Sequence, residues 1–411
     1  MNHNQLRLYL QLLEKVEKKT PFYQKKFGAI GLQVGDIKTY EDIKKLPFTT
    51  KEELREAYPL GLLSVDESEV VRIHSSSGTT GKPVIIPYTR FDIEIWSLMM
   101  ARCLEFAGVT STDRVQITPG YGLWTAGIGF QAGVEKLGAI AIPTGPGNTE
   151  KQLEMLLDLQ STVLCATSSY ALLLAEEVAR RGLLDQIALK RGIIGSERWG
   201  MKMRNRIADE LGIELHDIYG LTEIYGPGIS IECDFHTGLH YWDDYLFFEI
   251  IDPETGEVLP DGELGELVIT TLRKDAAPLI RYRTRDLTRI IPGTCPCGVA
   301  YPRHDVILGR TDDMIKVKGV NVYPGQIDEL LREIEGVSSE YQVLIDTIDA
   351  KVVMTLMVEK ENGVEALLLE KRIKETFRQK VGFKIEAKVL PIGELPRSEK
   401  KSTRVIDRRY E

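Results

Sequence analysis

Hydrophobic residues recur at helical spacing through the first sixty residues. Between Leu6 and Lys19 the leucines and Val16 fall three and four positions apart, and Thr50 precedes the sequence KEEL in a stretch ending at Tyr58. Residues spaced in this way share one face of a helix, and a threonine before such a run is a favoured N-cap. The pattern predicts a mostly helical entry subdomain.

From Val70 onward, short apolar runs alternate with helical stretches. The runs are VVRI, PVIIP, DRVQIT, GAIAIP, STVLCAT and RGIIG, and the helical stretches include Gln152–Leu159 and Tyr170–Arg181. Such alternation is typical of βαβ units around a parallel sheet. Between Leu239 and Ile291 the pattern changes to strands joined by Gly and Pro turns, which predicts a β-rich subdomain.

The last hundred residues follow a pattern of their own. Helices are predicted at Gly325–Glu335 and Val364–Val381, and strands near Val352–Val358 and at Glu386–Val389. This βαβ-like order predicts a small α+β domain joined by a linker at Arg310–Asp313. The predicted fold class is therefore α/β, with a large N-terminal domain over residues 1–310, containing parallel-sheet and β-rich subdomains, and a small C-terminal domain over residues 311–411.

Composition and charge narrow the classes of function. Hydrophobic residues make up 43% and charged residues 27% of the chain, as in globular proteins. Lys and Arg total 52 against 61 for Asp and Glu, which argues against nucleic acid or an anionic membrane as partner. The N-terminus lacks the apolar core and cleavage site of a signal peptide, so we expect a cytoplasmic protein.

The longest stretch without a charged side chain runs from Val115 to Val134, about the length of a membrane span. It contains five glycines and a proline. These residues favour turns over a membrane helix, so we predict buried strand and loop there.

The most informative segment lies between two predicted strands and reads Ser75-Ser76-Ser77-Gly78-Thr79-Thr80-Gly81-Lys82-Pro83. Backbone N–H groups of such a flexible, hydroxyl-rich loop can wrap phosphate oxygens, with Lys82 as a point charge. It is not a Walker A loop, because Pro83 replaces the required Ser or Thr and a strand follows instead of a helix. The alternative is a polar surface hairpin.

This loop resembles the phosphate loop of the adenylate-forming acyl-CoA synthetases. Three further segments similar to that superfamily follow in order, namely Tyr219-Gly220-Leu221-Thr222-Glu223, Tyr282-Arg283-Thr284-Arg285-Asp286 and Gly309-Arg310-Thr311-Asp312-Asp313. Within the superfamily, TPFYQKKF, YGLWTAGIGFQAGVEKLGA, RYRTRDLTRIIPG, GVNVYPGQI and LPRSEKKSTRVIDRR resemble phenylacetate–CoA ligases. The resemblance covers nearly the whole chain.

The resemblance implies an ATP-dependent aryl-acid–CoA ligase that passes through an acyl-adenylate and releases pyrophosphate and AMP, with a mobile C-terminal lid. It implies nucleotide contacts at Ser75, Ser76, Ser77, Gly78, Thr79, Thr80, Gly81, Gly195, Ser196, Glu197, Arg198, Asp217, Tyr219, Gly220, Asp286 and Arg310. Asp286 would accept hydrogen bonds from the ribose hydroxyls, a task for an acceptor-only group. An ion pair of Asp286 with Arg283 or Arg285 is the alternative.

The resemblance also implies four catalytic residues and a hinge. Glu223 would hold magnesium, Thr222 would lie beside the α-phosphate, and Lys82 and Lys401 would neutralise charge during adenylation. Asp312 would be the pivot of the C-terminal domain. Lys400 stands where relatives usually have glycine, so Lys400 is the alternative to Lys401, and a solvated basic tail is the alternative to both.

The acyl pocket should be lined by Tyr121, Gly122, Leu123, Trp124, Thr125 and Ala126. Glycines beside aromatic side chains leave a flat slot, as an aryl ring requires. Trp124 stands where relatives more often have phenylalanine. Phenylacetate is the first substrate expected, and indoleacetate, a benzoate or an acceptor other than CoA are alternatives.

A second group of residues has the chemistry of a metal site. Cys295 and Cys297 share one tight turn, and Cys233 and His240 lie upstream. Together they would complete a closed Cys3His zinc site, and reduced surface thiols are the alternative. Some phenylacetate–CoA ligase-like sequences carry similar CPCG and GLH segments, which favours His240 over His236.

We therefore predict ATP, magnesium and coenzyme A as cofactor and co-substrates, a structural zinc, and a homodimer. A catalytically silent nucleotide-binding protein is the rival from another class. Lys401 argues against it, because nucleotide binding alone would not need that lysine.

Overall fold

The computed structural model describes residues 1–76, 82–317, 320–348, 351–397 and 404–409. It divides into two compact units. The first unit comprises Met1–Gly145, Thr162–Cys165 and His216–Ile307, and the second comprises Pro146–Ser161, Ala166–Leu215 and Leu308–Glu411. The predicted domain boundary between residues 310 and 311 stays a prediction.

The helices and strands follow one another in an α/β order that matches the predicted fold class. The helices are α1 His3–Lys19, α2 Pro21–Ala29, α3 Tyr40–Ile43, α4 Lys51–Glu56, α5 Arg90–Phe106, α6 Ala126–Leu137, α7 Thr149–Asp158, α8 Ser168–Arg181, α9 Met201–Leu211, α10 Pro324–Arg332 and α11 Ala366–Val381, with 3-10 turns at Val34–Asp36, Glu67–Glu69 and Leu184–Gln186. The strands are β1 Val70–Ser75, β2 Ile85–Thr89, β3 Arg114–Ile117, β4 Ile140–Ile142, β5 Val163–Thr167, β6 Arg191–Gly195, β7 Glu214–Leu221, β8 Gly226–Glu232, β9 Leu239–Tyr241, β10 Leu246–Ile251, β11 Gly265–Thr271, β12 Tyr282–Thr288, β13 Ile290–Ile291, β14 Arg303–His304, β15 Gly309–Arg310, β16 Ile315–Val317, β17 Val320–Val322, β18 Val337–Ile348, β19 Lys351–Lys360, β20 Glu386–Leu390 and β21 Val405–Asp407.

The predicted entry helices are confirmed. Helix α1 begins three residues earlier than expected because the Asn2 side chain accepts the backbone N–H of Gln5 and completes a capping box. Thr50 caps α4 in the same way, through the backbone N–H of Glu53. The apolar face of α1 packs into a core that includes Phe247 of the β-rich region.

From Val115 to Val134 the predicted strand is confirmed, but the predicted loop is wrong from Ala126 onward, where a helix begins. Strand β3 is present, but α6 begins at Ala126. A Cβ atom on Gly129 would stand 2.5 Å from the Trp96 ring, and one on Gly133 would stand 2.5 Å from Cβ of Met100. These glycines let α6 approach α5 closely, and that packing overrides their low helix propensity.

Both kinds of sheet predicted for the large domain are present in the first unit. Strand β3 pairs in parallel with β4 and β5. Strands β7, β8 and β9 pair antiparallel, as do β10, β11 and β12. Strands β1 and β2 pair antiparallel and form a hairpin.

The second unit contains the predicted C-terminal α+β fold. Its sheet has the order β20-β19-β18-β21, and Phe377 of α11 and Leu330 of α10 belong to the same hydrophobic core as these strands. Strands β18 and β21 of this sheet were not predicted from the sequence. No helix among the described residues is long and apolar enough to cross a membrane.

Candidate active site

The hairpin of β1 and β2 positions both ends of the predicted phosphate loop. The backbone N–H of Ser76 donates to the Val84 carbonyl at 3.1 Å, and the Ser76 hydroxyl accepts the N–H of Val84 at 3.1 Å. Ser75 is buried, and the exposed Lys82 places Nζ 5.4 Å from the ring centroid of Tyr58. The predicted contacts Ser77, Gly78, Thr79, Thr80 and Gly81 lie outside the described residues.

The predicted acyl segment is attached to this hairpin. The carbonyl of Leu123 accepts the backbone N–H of Ser75 at 2.9 Å and Nδ1–H of His74 at 3.1 Å. Leu123 and Gly122 are exposed, whereas Tyr121 and Trp124 are half-buried and Thr125 and Ala126 are buried. Two segments that the sequence assigned to different substrates, phosphate and acid, therefore meet at the end of β1.

The segment Tyr219 to Glu223 ends β7 and turns toward β8. The hydroxyl oxygen of Thr222 lies 3.3 Å from that of Thr125, which joins this turn to the acyl segment. Glu223 is buried, and its Oε1 lies 2.9 Å from Nζ of Lys51 at the start of α4. A buried carboxylate oxygen suits a hard divalent cation such as magnesium.

A buried lysine lies behind the same turn. Lys274 donates to the carbonyl of Ile224, and its Nζ lies 4.5 Å and 4.6 Å from the ring centroids of Tyr88 and Tyr225. Burial lowers the pKa of Lys274 to about 7, against the opposing charges of Asp92 and Glu223. The lysine fixes the backbone that follows Glu223.

The side chains of Asp286 and Tyr219 are in contact within the first unit. The Tyr219 hydroxyl donates to Oδ2 of Asp286 at 2.6 Å. Arg283 binds Glu266 instead, with bonds of 3.0 Å and 2.6 Å, and Nη2 of Arg285 lies 3.6 Å from Glu52. The arginines thus have carboxylate partners other than Asp286, which weakens the ion-pair alternative. The backbone N–H of Asp217, another predicted contact, donates to Glu232 at 3.2 Å.

The predicted adenine segment, Gly195 to Arg198, lies in the second unit at the end of β6. Ser196 adopts a left-handed backbone conformation with φ +69°, a strained geometry that is common at functional sites. Glu197 accepts the hydroxyl of Ser169. Arg198 pairs with Asp328 of α10 at 2.5 Å and donates to the Gly325 carbonyl at 3.1 Å.

The predicted hinge residue Asp312 and the predicted nucleotide contact Arg310 lie in the same unit and are bonded to each other. Nε and Nη2 of Arg310 donate to the two carboxylate oxygens of Asp312 at 2.9 Å and 3.0 Å. Lys401 lies outside the described residues.

The four predicted zinc ligands converge. The ligand atoms of Cys233, His240, Cys295 and Cys297 all lie within 4.8 Å of one another. Sγ of Cys233 is 3.7 Å from Sγ of Cys295, and Sγ of Cys297 is 3.4 Å from Nε2 of His240. Nδ1–H of His240 donates to the Tyr301 carbonyl at 2.9 Å, which leaves Nε2 free to bind a metal.

Lys51 and Lys274 were not predicted as site residues from the sequence. Each meets the turn at Glu223 from a distant part of the chain, so no local pattern marks it. A lysine in an apolar setting, as in TLRKDAAPLI, is the one signal that could have drawn attention to Lys274.

Two family models match the chain: the AMP-binding enzyme model over residues 14–272 and the AMP-binding enzyme C-terminal domain model over residues 319–409. The chain is similar to the phenylacetate-coenzyme A ligase of Pseudomonas putida, with 40% identity over 419 residues, covering 100% of this chain and 94% of that protein. It is also 40% identical over 406 residues to the phenylacetate-coenzyme A ligase of Escherichia coli (strain K12), covering 97% of this chain and 92% of the relative.

A solved structure supports the same fold. The crystal structure of 2-hydroxyisobutyryl-CoA ligase in the postadenylation state, in complex with 2-HIB-AMP, matches with a TM-score of 0.89 and 27% identity. The match covers 98% of this chain and 88% of that one.

Proposed function

The chain belongs to the AMP-binding enzyme family, and we propose from this membership that it is a phenylacetate–CoA ligase. The observation that carries the proposal is the similarity to ligases of that name along the whole chain. The protein is thus an AMP-forming acid–CoA ligase. Its proposed location is the cytoplasm, where thiols such as those of the five free cysteines stay reduced.

The proposed reaction has two steps. The acid's carboxylate attacks the α-phosphorus of ATP, the bond to the β-phosphate breaks, and pyrophosphate leaves. The CoA thiolate then attacks the acyl carbonyl, and AMP leaves with the electrons of the broken C–O bond. One site can perform both steps because the C-terminal domain changes its orientation between them.

Residues of this chain supply the charge that the first step needs. A carboxylate is a poor nucleophile and the phosphates repel it, so cationic and hydrogen-bonding groups must face the α-phosphate. We assign this task to Thr222, Lys82 and Lys401. Glu223 would hold magnesium, which supplies further charge neutralisation when bound.

The Cys and His cluster is proposed to hold a structural zinc. Zinc–sulfur bonds of about 2.3 Å in a tetrahedron place two sulfurs about 3.8 Å apart. The distance of 3.7 Å between the sulfurs of Cys233 and Cys295 fits that geometry. Four protein ligands leave no open position, so the proposed zinc stabilises the fold without entering the chemistry.

The proposed acid is phenylacetate, held beside Tyr121 and Trp124. A pyrophosphate-exchange screen should compare phenylacetate with indoleacetate, benzoate and hexanoate, and thioester formation should be followed with CoA. A methylene-sized mismatch in an apolar pocket costs about 1–3 kcal/mol, so phenylacetate should exceed hexanoate by about tenfold or more in kcat/KM. An equal kcat/KM for hexanoate and phenylacetate would contradict the proposed aryl pocket. Pyrophosphate exchange without thioester formation would indicate an acceptor other than CoA.

Two further experiments test the lining of the acyl pocket and the oligomeric state. Trp124→Ala should widen the pocket and favour indoleacetate over phenylacetate. An unchanged preference between phenylacetate and indoleacetate would show that Trp124 does not line the acyl pocket. Light scattering of the purified protein tests the proposed homodimer.

A further inference from the structure

The guanidinium of Arg397 lies between two carboxylates. Its Nε and Nη2 donate to Glu176 at 3.0 Å and 2.7 Å, and its Nη1 and Nη2 donate to Glu359 at 3.0 Å and 2.8 Å. Only 12% of the Arg397 side chain is exposed. Charged hydrogen bonds with two bonds per carboxylate are among the strongest that a protein forms.

One of the two carboxylates belongs to the same C-terminal fold as Arg397. Glu359 is the last but one residue of β19 and is fully buried. It also accepts the backbone N–H groups of Gly393 and Leu395 at 3.0 Å and 2.9 Å. Glu359 therefore holds the loop before Arg397 through backbone hydrogen bonds as well as through the Arg397 side chain. All these partners lie between residues 351 and 397.

The other carboxylate comes from a remote part of the sequence. Glu176 lies on α8, 221 residues before Arg397. It also pairs at 2.8 Å with Arg206 of α9, whose Nη1 donates to Ser339 of β18 at 3.2 Å. Arg206 also donates to Glu210 at 2.7 Å, so two arginines and three glutamates interact where α8 and α9 meet the C-terminal fold.

Arg397 stands directly before the segment proposed to carry the catalytic lysine. Three residues separate it from Lys401 in the sequence. The four charged hydrogen bonds of its side chain fix the position of Arg397 itself. The contact with Glu359 fixes Arg397 within its own fold, whereas the contact with Glu176 attaches it to α8.

We propose that Glu176 is a positioning residue for the adenylation step: by binding Arg397 it attaches the C-terminal fold to α8 in the orientation that the first half-reaction uses. The inference rests on the proposed function, in which Lys401 serves only that half-reaction. Thioester formation takes place with the C-terminal domain in another orientation, so it does not need the bond between Arg397 and Glu176.

The test uses Glu176→Gln in the full-length protein, with Glu177→Gln as matched control. Glu177 is the next residue on α8 and pairs with Arg180 and Arg181 of the same helix. Glu176→Gln should lower phenylacetate-dependent pyrophosphate exchange about tenfold and leave thioester formation from supplied phenylacetyl-adenylate within about twofold of wild type. Glu177→Gln should leave both rates within about twofold.

A second variant covers the case in which Glu176→Gln fails to fold. Glu176→Asp keeps the charge but shortens the side chain, so it should lower exchange alone, by about threefold. Equal loss of both half-reactions, or an unchanged exchange rate, would overturn the inference. If Lys401→Ala loses exchange while the Glu176 variants keep it, this inference alone fails. If Lys401→Ala keeps pyrophosphate exchange, both this inference and the proposed role of Lys401 fail.

Discussion

The hydroxyl of Tyr219 donates a 2.6 Å hydrogen bond to Oδ2 of Asp286. The two residues belong to segments that the sequence assigned separately to the nucleotide, and the fold brings them together 67 positions apart. A hydrogen bond to a charged group contributes about 1.5–3 kcal/mol. This bond therefore holds the carboxylate in one orientation, which suits the proposed contact of Asp286 with the ribose.

Tyr219→Phe should consequently raise the KM for ATP about tenfold in pyrophosphate exchange, with a smaller effect on kcat. Tyr9→Phe is the control, because it removes another buried hydroxyl, which contacts Thr270 at 3.2 Å. It should lower the melting temperature without changing that KM. An unchanged KM for ATP in Tyr219→Phe would show that Tyr219 does not orient Asp286 for nucleotide binding.

The ion pair of Lys51 and Glu223 predicts competition with magnesium. Under the proposed function, magnesium would bind the same buried carboxylate whose Oε1 lies 2.9 Å from Nζ of Lys51. Lys51→Met should therefore lower the magnesium concentration for half-maximal exchange several-fold, whatever happens to kcat. Glu223→Gln should raise that concentration more than tenfold.

The matched control for Lys51→Met is Lys45→Met, which removes an exposed lysine paired with Asp42. The control should leave the magnesium dependence unchanged. A higher magnesium requirement in Lys51→Met would mean that the lysine and the metal act together on the substrate.

The zinc proposal predicts one metal ion per chain in protein purified without added zinc. Cys295→Ser should lose that metal and lower the melting temperature by roughly 5–10 °C, since the site fixes two loops of the first unit. Cys103→Ala should keep the metal, because Cys103 lies buried in α5. Metal analysis well below one equivalent in the wild type would refute the site.

Buried His304 predicts a loss of stability in acid. Burial lowers its pKa to about 4, from 6.5, so the unfolded chain binds this proton at a higher pH than the folded one. The free energy of unfolding should fall as the pH drops from 6.5 to 4, by up to about 1.4 kcal/mol per pH unit.

His304→Gln should reduce that slope, while His3→Gln, at the exposed N-terminus, should leave it unchanged. Urea unfolding curves at successive pH values measure both. Equal slopes in wild type and His304→Gln would show that His304 titrates normally in the folded protein.

The sequence predicts residues that act through a local motif and misses those that act across the fold. Asp286 and Glu223 lie in segments that resemble the family's motifs, and the cysteines of the proposed zinc site lie in short segments with metal-ligand chemistry. Lys51 reaches Glu223 from a helix more than 150 residues away, and only the tertiary structure shows that contact.

Helix α6 shows the same limit for secondary structure. Gly129 and Gly133 indicate loop when each residue is considered alone, because glycine disfavours helix. Their role is to admit the side chains of Trp96 and Met100 from α5. A helix that depends on its neighbour for stability cannot be identified from its own residues.

The most direct test of the account is Lys401→Ala, assayed separately in the two half-reactions, with Lys400→Ala as control. Lys401→Ala should lower phenylacetate-dependent pyrophosphate exchange by about a hundredfold or more, because the developing charge loses its cation. It should keep thioester formation from supplied phenylacetyl-adenylate within about threefold, and Lys400→Ala should keep both. Equal loss of both half-reactions in Lys401→Ala, or no loss of exchange, would contradict a two-step ligase whose first step depends on this lysine.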